Sequence, residues 1–300
     1  MSAAGSTTLQ RPHDRLRRRR VVNRGMELLA WLAAAIAVAL LGIVVFSVAK
    51  RGASALNLDF LTKTPVSEFE LGNHPQGLAN AFVGSIVLVG VATAMALPVG
   101  ILVAIYVTEF APRKLRHWIG LVLDTLAGIP AIVIGIFVFG LIVVPHGQSG
   151  WAGSFALAVL MLPLVARTSI EVLLLVPGSL REASLGLGVP RWRTTLGIVL
   201  PQAVGGIVTG AVLAVARVAG ETAPLLFTSS IVTNEVSWNP SHALSSVPLS
   251  IFELYDQPDP ADHARAWAAA FVLLMFILVT SLTARWLANR SRRKLQRAAG

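Results

Sequence analysis

Six apolar stretches, each about as long as a bilayer is thick, alternate with short segments that hold most of the charge, and nothing else in this chain limits its fold so strongly. They run roughly Leu28 to Ala49, Leu78 to Thr108, Trp118 to Val144, Trp151 to Ile170, Leu196 to Gly220 and Ala266 to Leu287. The second is too long for an upright crossing and predicts a tilt or a kink at Pro98. The third holds Asp124 two turns in, followed by Pro130. Composition agrees: 55% of residues are hydrophobic and 13% charged, against about 25% charged in a soluble domain. The expected fold is therefore all-α, a polytopic membrane protein with six transmembrane helices. The absence of cysteine excludes disulfides, thiolate metal sites and cysteine nucleophiles.

A net charge of +10 would suggest nucleic acid in a soluble protein, but here its placement matters more. The arm RLRRRR (Arg15 to Arg20), the loop with Arg113, Lys114 and Arg116, the loop with Arg181, Arg191 and Arg193, and the tail from Arg285 to Arg297 all fall on one side of a six-span chain. Short loops rich in Lys and Arg stay in the cytoplasm, so both termini are expected there, with the arm touching anionic lipid and not nucleic acid. The other side carries Asp59, Glu68 and Glu70, the turn PHGQSG (Pro145 to Gly150), and an acidic loop with Glu235, Glu253, Asp256 and Asp259. The small residues ASA (Ala53 to Ala55) resemble a signal-peptide cleavage site, but the preceding run exceeds the usual h-region, so an uncleaved anchor is expected. The chain then divides into a basic arm (1–27), a first span and external loop (28–77), a main transmembrane domain (78–290) and a basic tail (291–300).

Neither a phosphate-binding G-x-x-x-x-G-K-[ST] loop nor H-E-x-x-H nor G-x-S-x-G is present, and the histidines fall in loops, in the arm or at span ends. No nucleophile and base are buried together at depth, which argues against an enzyme. Charges inside the spans are a different matter, because they are costly and commonly mark a pathway. Arg167 with Glu171, and Arg217 with Glu221, each lie at i, i+4 and can share a helix face. A guanidinium fork suits a small dianion, and the glutamate would pair with it when the site is empty. Either pair could equally be an ion pair at a helix end, and for Arg167 and Glu171 the two readings stand level. Asp124 reads as a capping or pairing group. GIVTG (Gly206 to Gly210) has the small-xxx-small spacing of close helix packing, for which a partner chain is one candidate.

The segment EASLGLGVPRWRTTLGIVLP (Glu182 to Pro201) interrupts this apolar chain on its positive side. PGSL (Pro177 to Leu180) breaks the incoming helix, Glu182 falls where a new helix N-terminus favours an acid, and GVP (Gly188 to Pro190) breaks the chain again. The expected product is a helix of two turns on the membrane surface, either a connector or a docking element. The spacing resembles the EAA loop of ABC importer permeases, E-A-A-x3-G-x9-I-x-L-P. Glu182, Ala183, Gly188, Ile198, Leu200 and Pro201 match in register, and Ser184 departs from the second alanine.

Three further stretches resemble the phosphate-specific transport permeases: GSIVLVGVATAMALPVGILVAIYVTEFAP (Gly84 to Pro112), LAGIPAIVIGIF (Leu126 to Phe137) and ARVAGETAPLLFT (Ala216 to Thr228). The continuation APLLFT looks like the A-type and not the C-type permease of that system. The resemblance implies a type I ABC importer (MetI-like) fold, with the EAA loop 177–201 docking on a partner ATPase. It also implies a homologous C permease, a dimer of ATP-binding B subunits, an extracytoplasmic phosphate-binding protein, and a bacterial plasma (inner) membrane. No cofactor is expected on this chain, since ATP would be used by the partner. A permease for another oxyanion, or a secondary anion transporter, are the competing readings, though the latter would show an internal repeat.

Overall fold

The structure, a computed structural model, describes residues 13–65, 77–229 and 235–298; Glu68 and Glu70 lie outside the described residues. No strand occurs among the described residues. That is what a spanning chain requires, because hydrocarbon offers no partner for backbone N–H and C=O groups and a helix satisfies them internally.

Residues 1–50 and 51–300 form two compact units. The first is dominated by α1 (His13–Gly52), which passes from the basic arm into the first apolar run without a break, its apolar side chains from Val21 to Val44 exposed. The second unit opens with a short α2 (Leu58–Thr62), capped by the Asn57 side chain, and then α3 (Ala79–Phe110). At 32 residues α3 is about 48 Å long, against about 30 Å of hydrocarbon. It runs through Pro98 as α-helix and widens into a π-turn only over Tyr106–Phe110.

The third apolar run, expected as one span from Trp118 to Val144, is a broken pair. Helices α4 (Arg113–Gly128) and α5 (Ala131–His146) meet at 94°. Ile129 precedes Pro130, whose ring drives it to φ −70, ψ 130 and ends α4. Five helices are thus long and apolar enough to cross a membrane, or six if the broken pair counts as one span.

Next come α6 (Gly150–Leu174), α7 (Gly178–Gly186), α8 (Arg191–Val218), α9 (Leu225–Thr228), α10 (Val247–Asp256) and α11 (Pro260–Ala298). Helix α6 is the hub. Its Leu157, Met161 and Val165 are fully buried with Leu88, Ala92 and Ala96 of α3 and Ala214 of α8. Small residues let the backbones approach. A Cβ on Gly100 would meet Val165 at 2.9 Å, and the GIVTG stripe seats Gly206 on Val172 and Gly210 on Thr168. That stripe packs within the chain, on α6.

Candidate functional site

Helices α3 and α6 finish at the same end of the unit, where the Arg181 side chain of α7 reaches both and α7 itself packs on the start of α8. The surface element expected at Glu182 is a helix of nine residues. It begins earlier than the sequence suggests: Gly178 opens it behind Pro177, so Glu182 sits mid-helix and not at its N-terminus. Glu182 and Ala183 are exposed, while Ser184 is buried and its hydroxyl lies 2.9 Å from that of Thr194 at the start of α8. This explains the departure from the EAA pattern, since the inward position accepts a small residue and here adds a hydrogen bond.

Gly188 takes φ 77 after the helix, with its N–H bonded to the Leu185 carbonyl and Val189 N–H to that of Ser184. This is a glycine C-terminal turn. A Cβ there would meet nothing of this chain within 4 Å, so within the chain Gly188 is required by its backbone conformation. Of the I-x-L-P segment, Ile198 and Leu200 are half-buried and Pro201 exposed, whereas Val199 between them is fully buried. Pro201 cannot donate to the helical ladder, and α8 accommodates it by winding Thr195–Val199 as a π-turn.

The arginine pairs are not as the spacing implied. Arg167 and Glu171 both lie on α6, but Arg167 makes its ion pair with Asp124 of α4 and donates to the Gly120 carbonyl at 2.6 Å. Glu171 is exposed, and no described cation lies within 4.0 Å of it. Arg217 and Glu221 do not share a helix. Helix α8 ends at Val218, and Gly220 and Glu221 donate to the carbonyls of Arg217 and Val218 in tight turns that carry Glu221 off the helix face. Arg217 is exposed, and no described carboxylate lies within 4.0 Å of it.

An ion pair missing from the sequence reading dominates the α7 end. Arg181 reaches Glu109 in the last turn of α3, with Nε 3.1 Å from Oε1 and 3.3 Å from Oε2, and Nη2 2.8 Å from Oε1. Its Nη1 donates to the Val176 carbonyl at 2.6 Å and its Nη2 to that of Leu173 at 2.9 Å. Both side chains are largely covered, with 22% of Arg181 and 10% of Glu109 exposed. The sequence signal was an acid one residue past a long apolar run, and Arg113, Lys114 and Arg116 all stand nearer to it along the chain than Arg181 does.

At the opposite end the stretches that carried the resemblance meet each other. A Cβ on Gly135 would lie 2.7 Å from Pro224 Cα, and one on Gly84 2.0 Å from the Ser245 carbonyl oxygen. The Val247 N–H donates to Ser85 Oγ, and the Ser149 N–H to the Thr228 carbonyl.

Membrane-length helices around α6, with a short helix tied to the ends of two of them through Arg181, define a polytopic α-helical membrane protein. The family model described as binding-protein-dependent transport system inner membrane component matches residues 96–293, and the chain belongs to that family. The phosphate transport system permease protein PstA of Haemophilus influenzae is 37% identical over 271 residues, covering 89% of this chain and 94% of that protein. Among solved structures, a bacterial alginate ABC transporter in complex with an alginate pentasaccharide-bound periplasmic protein has a chain that superposes with a TM-score of 0.62 at 16% identity, over 90% of this chain and 96% of that one. A chain of the inward-facing MetNI methionine ABC transporter gives 0.55 at 18% identity, over 75% and 99%. At such identities the solved structures speak for the fold alone.

Proposed function

We propose that this chain is the A-type transmembrane subunit of an ATP-driven importer of inorganic phosphate in a bacterial plasma membrane. It works beside a homologous C-type permease, a dimer of ATP-binding B subunits and an extracytoplasmic phosphate-binding protein, and leaves ATP hydrolysis to the B subunits. The basic loops face the cytoplasm together with both termini, in contact with anionic lipid. The residue boundaries at 28, 78 and 291 then separate arm, first span, permease domain and tail.

One observation carries the coupling part of this reading. Helix α7 turns Glu182 and Ala183 outward and tethers itself inward through Ser184, which is the arrangement a docking helix needs. A small residue beside an exposed carboxylate lets a partner groove close on the helix, and the carboxylate supplies a charged hydrogen bond. The substrate part rests on likeness to the phosphate permease relative and on Arg217. That guanidinium stands sixteen residues, about 24 Å, beyond Pro201, at the end away from α7. A dianion leaving its binding protein must shed water, and a cation with no described carboxylate within 4.0 Å offsets part of that cost. Glu221, a few residues on, is close enough in sequence to pair with Arg217 after a modest movement of the turn. Arg167 and Glu171 belong to the same pathway at the α7 end, with Asp124 holding the Arg167 guanidinium between transport events.

The test is uptake of labelled phosphate into vesicles holding the whole complex, with ATP on the α7 side. ATP-dependent accumulation is expected. Uptake without ATP would remove the ABC reading, and ATP-driven uptake of sulfate or molybdate in place of phosphate would remove the substrate assignment.

A further inference from the structure

We propose that Arg181 and Glu109 form the joint through which α7 moves the membrane helices, an inference that rests on the coupling role given to α7 above. A surface helix can pass on a push only if something fixes it to what must move. Burial does little of this in α7: Ser184 alone among its residues is buried, and its hydrogen bond leads to α8. The covalent link to α6 is the corner Leu175–Pro177, where Pro177 breaks the helix and leaves carbonyls of the last turn of α6 without ladder partners. Arg181 occupies that corner.

Its five N–H donors form a rigid planar fork, and three elements share them. The carbonyls of Leu173 and Val176 fix the angle between α6 and α7, while the carboxylate of Glu109 ties the same guanidinium to α3. Glu109 in turn lies in the π-turn that closes α3, the helix packed most closely along α6. Beneath the joint, Ala104, Val107, Ala166, Leu173, Val176 and Val199 form one buried cluster, so α3, α6 and the start of α8 have little freedom to slide separately. A displacement of α7 therefore carries the ends of α3 and α6 together, and α6 brings Arg167 and its Asp124 partner on α4. Arg181 and Glu109 act as positioning residues, touching neither phosphate nor nucleotide.

The experiment compares phosphate taken up per ATP hydrolysed in the reconstituted complex for the native protein, Glu109→Gln, Arg181→Lys and the exchange Arg181→Glu with Glu109→Arg. Glu109→Gln is expected to keep its ATPase bound and hydrolysing while uptake per ATP falls about tenfold. Arg181→Lys should fall between, because a point charge cannot hold the carboxylate and two carbonyls at once. The exchange should recover part of the loss. An unchanged ratio in Glu109→Gln overturns the proposal, as does uptake that falls only in step with hydrolysis. Should Glu109→Gln fail to assemble, Arg181→Lys decides by the same ratio.

A second readout needs no transport. Spin labels at the exposed Ser179 and Leu102 should report one narrow distance in the native complex, unchanged when ATP is trapped, and a broadened one in Arg181→Lys and Glu109→Gln. A native complex that hydrolyses ATP without moving phosphate would remove the substrate reading, and the joint would then stand or fall on this distance.

Discussion

At the scale of single residues, Gly188 and Arg217 carry the sharpest expectations. Gly188 adopts a left-handed φ in open space, so the penalty for replacing it is conformational, about 1 to 2 kcal/mol for an ordinary residue. Asparagine visits that region more easily than a β-branched residue. Gly188→Asn should therefore retain most uptake, and Gly188→Val should lose it together with ATPase binding, as read by co-purification. Equal behaviour of the two would mean that the turn does not set the pose of α7. For Arg217, Arg217→Gln is expected to assemble and hydrolyse ATP but to take up almost no phosphate, with Arg217→Lys partly active. Wild-type uptake by Arg217→Gln would leave the arginine as a helix-end charge.

Between elements, the close approaches at the end away from α7 decide stability. Gly84 faces the Ser245 carbonyl so closely that a methyl group cannot enter without moving α3 from the loop before α10. Overpacking of this kind typically costs about 1 to 3 kcal/mol, so Gly84→Ala should lower the melting temperature and the yield of folded protein. Gly90, two turns along the same helix, has nothing within 4 Å of its would-be Cβ. Gly90→Ala should be neutral or stabilising by up to about 1 kcal/mol through reduced freedom of the unfolded chain. Equal melting temperatures for the two variants would contradict the packing described between α3 and that loop.

For the whole molecule, sidedness follows from charge. A chain without cysteine accepts single cysteines as reporters on a silent background. A cysteine at Ser179 should react with an impermeant thiol reagent only from the cytoplasmic side, and one at Ser241 only from outside; both are exposed. Labelling of both from one side would break the alternation of basic and acidic loops that orients the chain. The break at Pro130 does not disturb this count when α4 and α5 together make one crossing.

The apolar runs and the loop from Glu182 to Pro201 could be read from the chain because each depends on neighbours in sequence: hydrophobic length, the missing N–H of proline at Pro177 and Pro190, a glycine at a turn; the break at Pro130, inside a run expected as one span, was not. The same local logic placed a short surface helix between Pro177 and Gly188, but not the inward turn of Ser184. It failed where a charge chose a distant partner. Arg167 and Glu171 satisfy the i, i+4 rule, yet Asp124 wins because α4 packs against α6 and brings its carboxylate to Arg167. Arg217 and Glu221 satisfy it too, but the helix that would align them stops at Val218. Glu109 and Arg181, seventy-two residues apart, become partners only once α3 and α6 pack along their length and finish at one end. Sequence by itself determined where most of the helices form, and spacing along the chain suffices for pairs within one helical turn such as Asp59 with Lys63 and Asp262 with Arg265. Tertiary packing decided the pairs between helices, Arg181 with Glu109 and Arg167 with Asp124, because partners far apart in sequence are brought together only by the geometry of the helices that carry them.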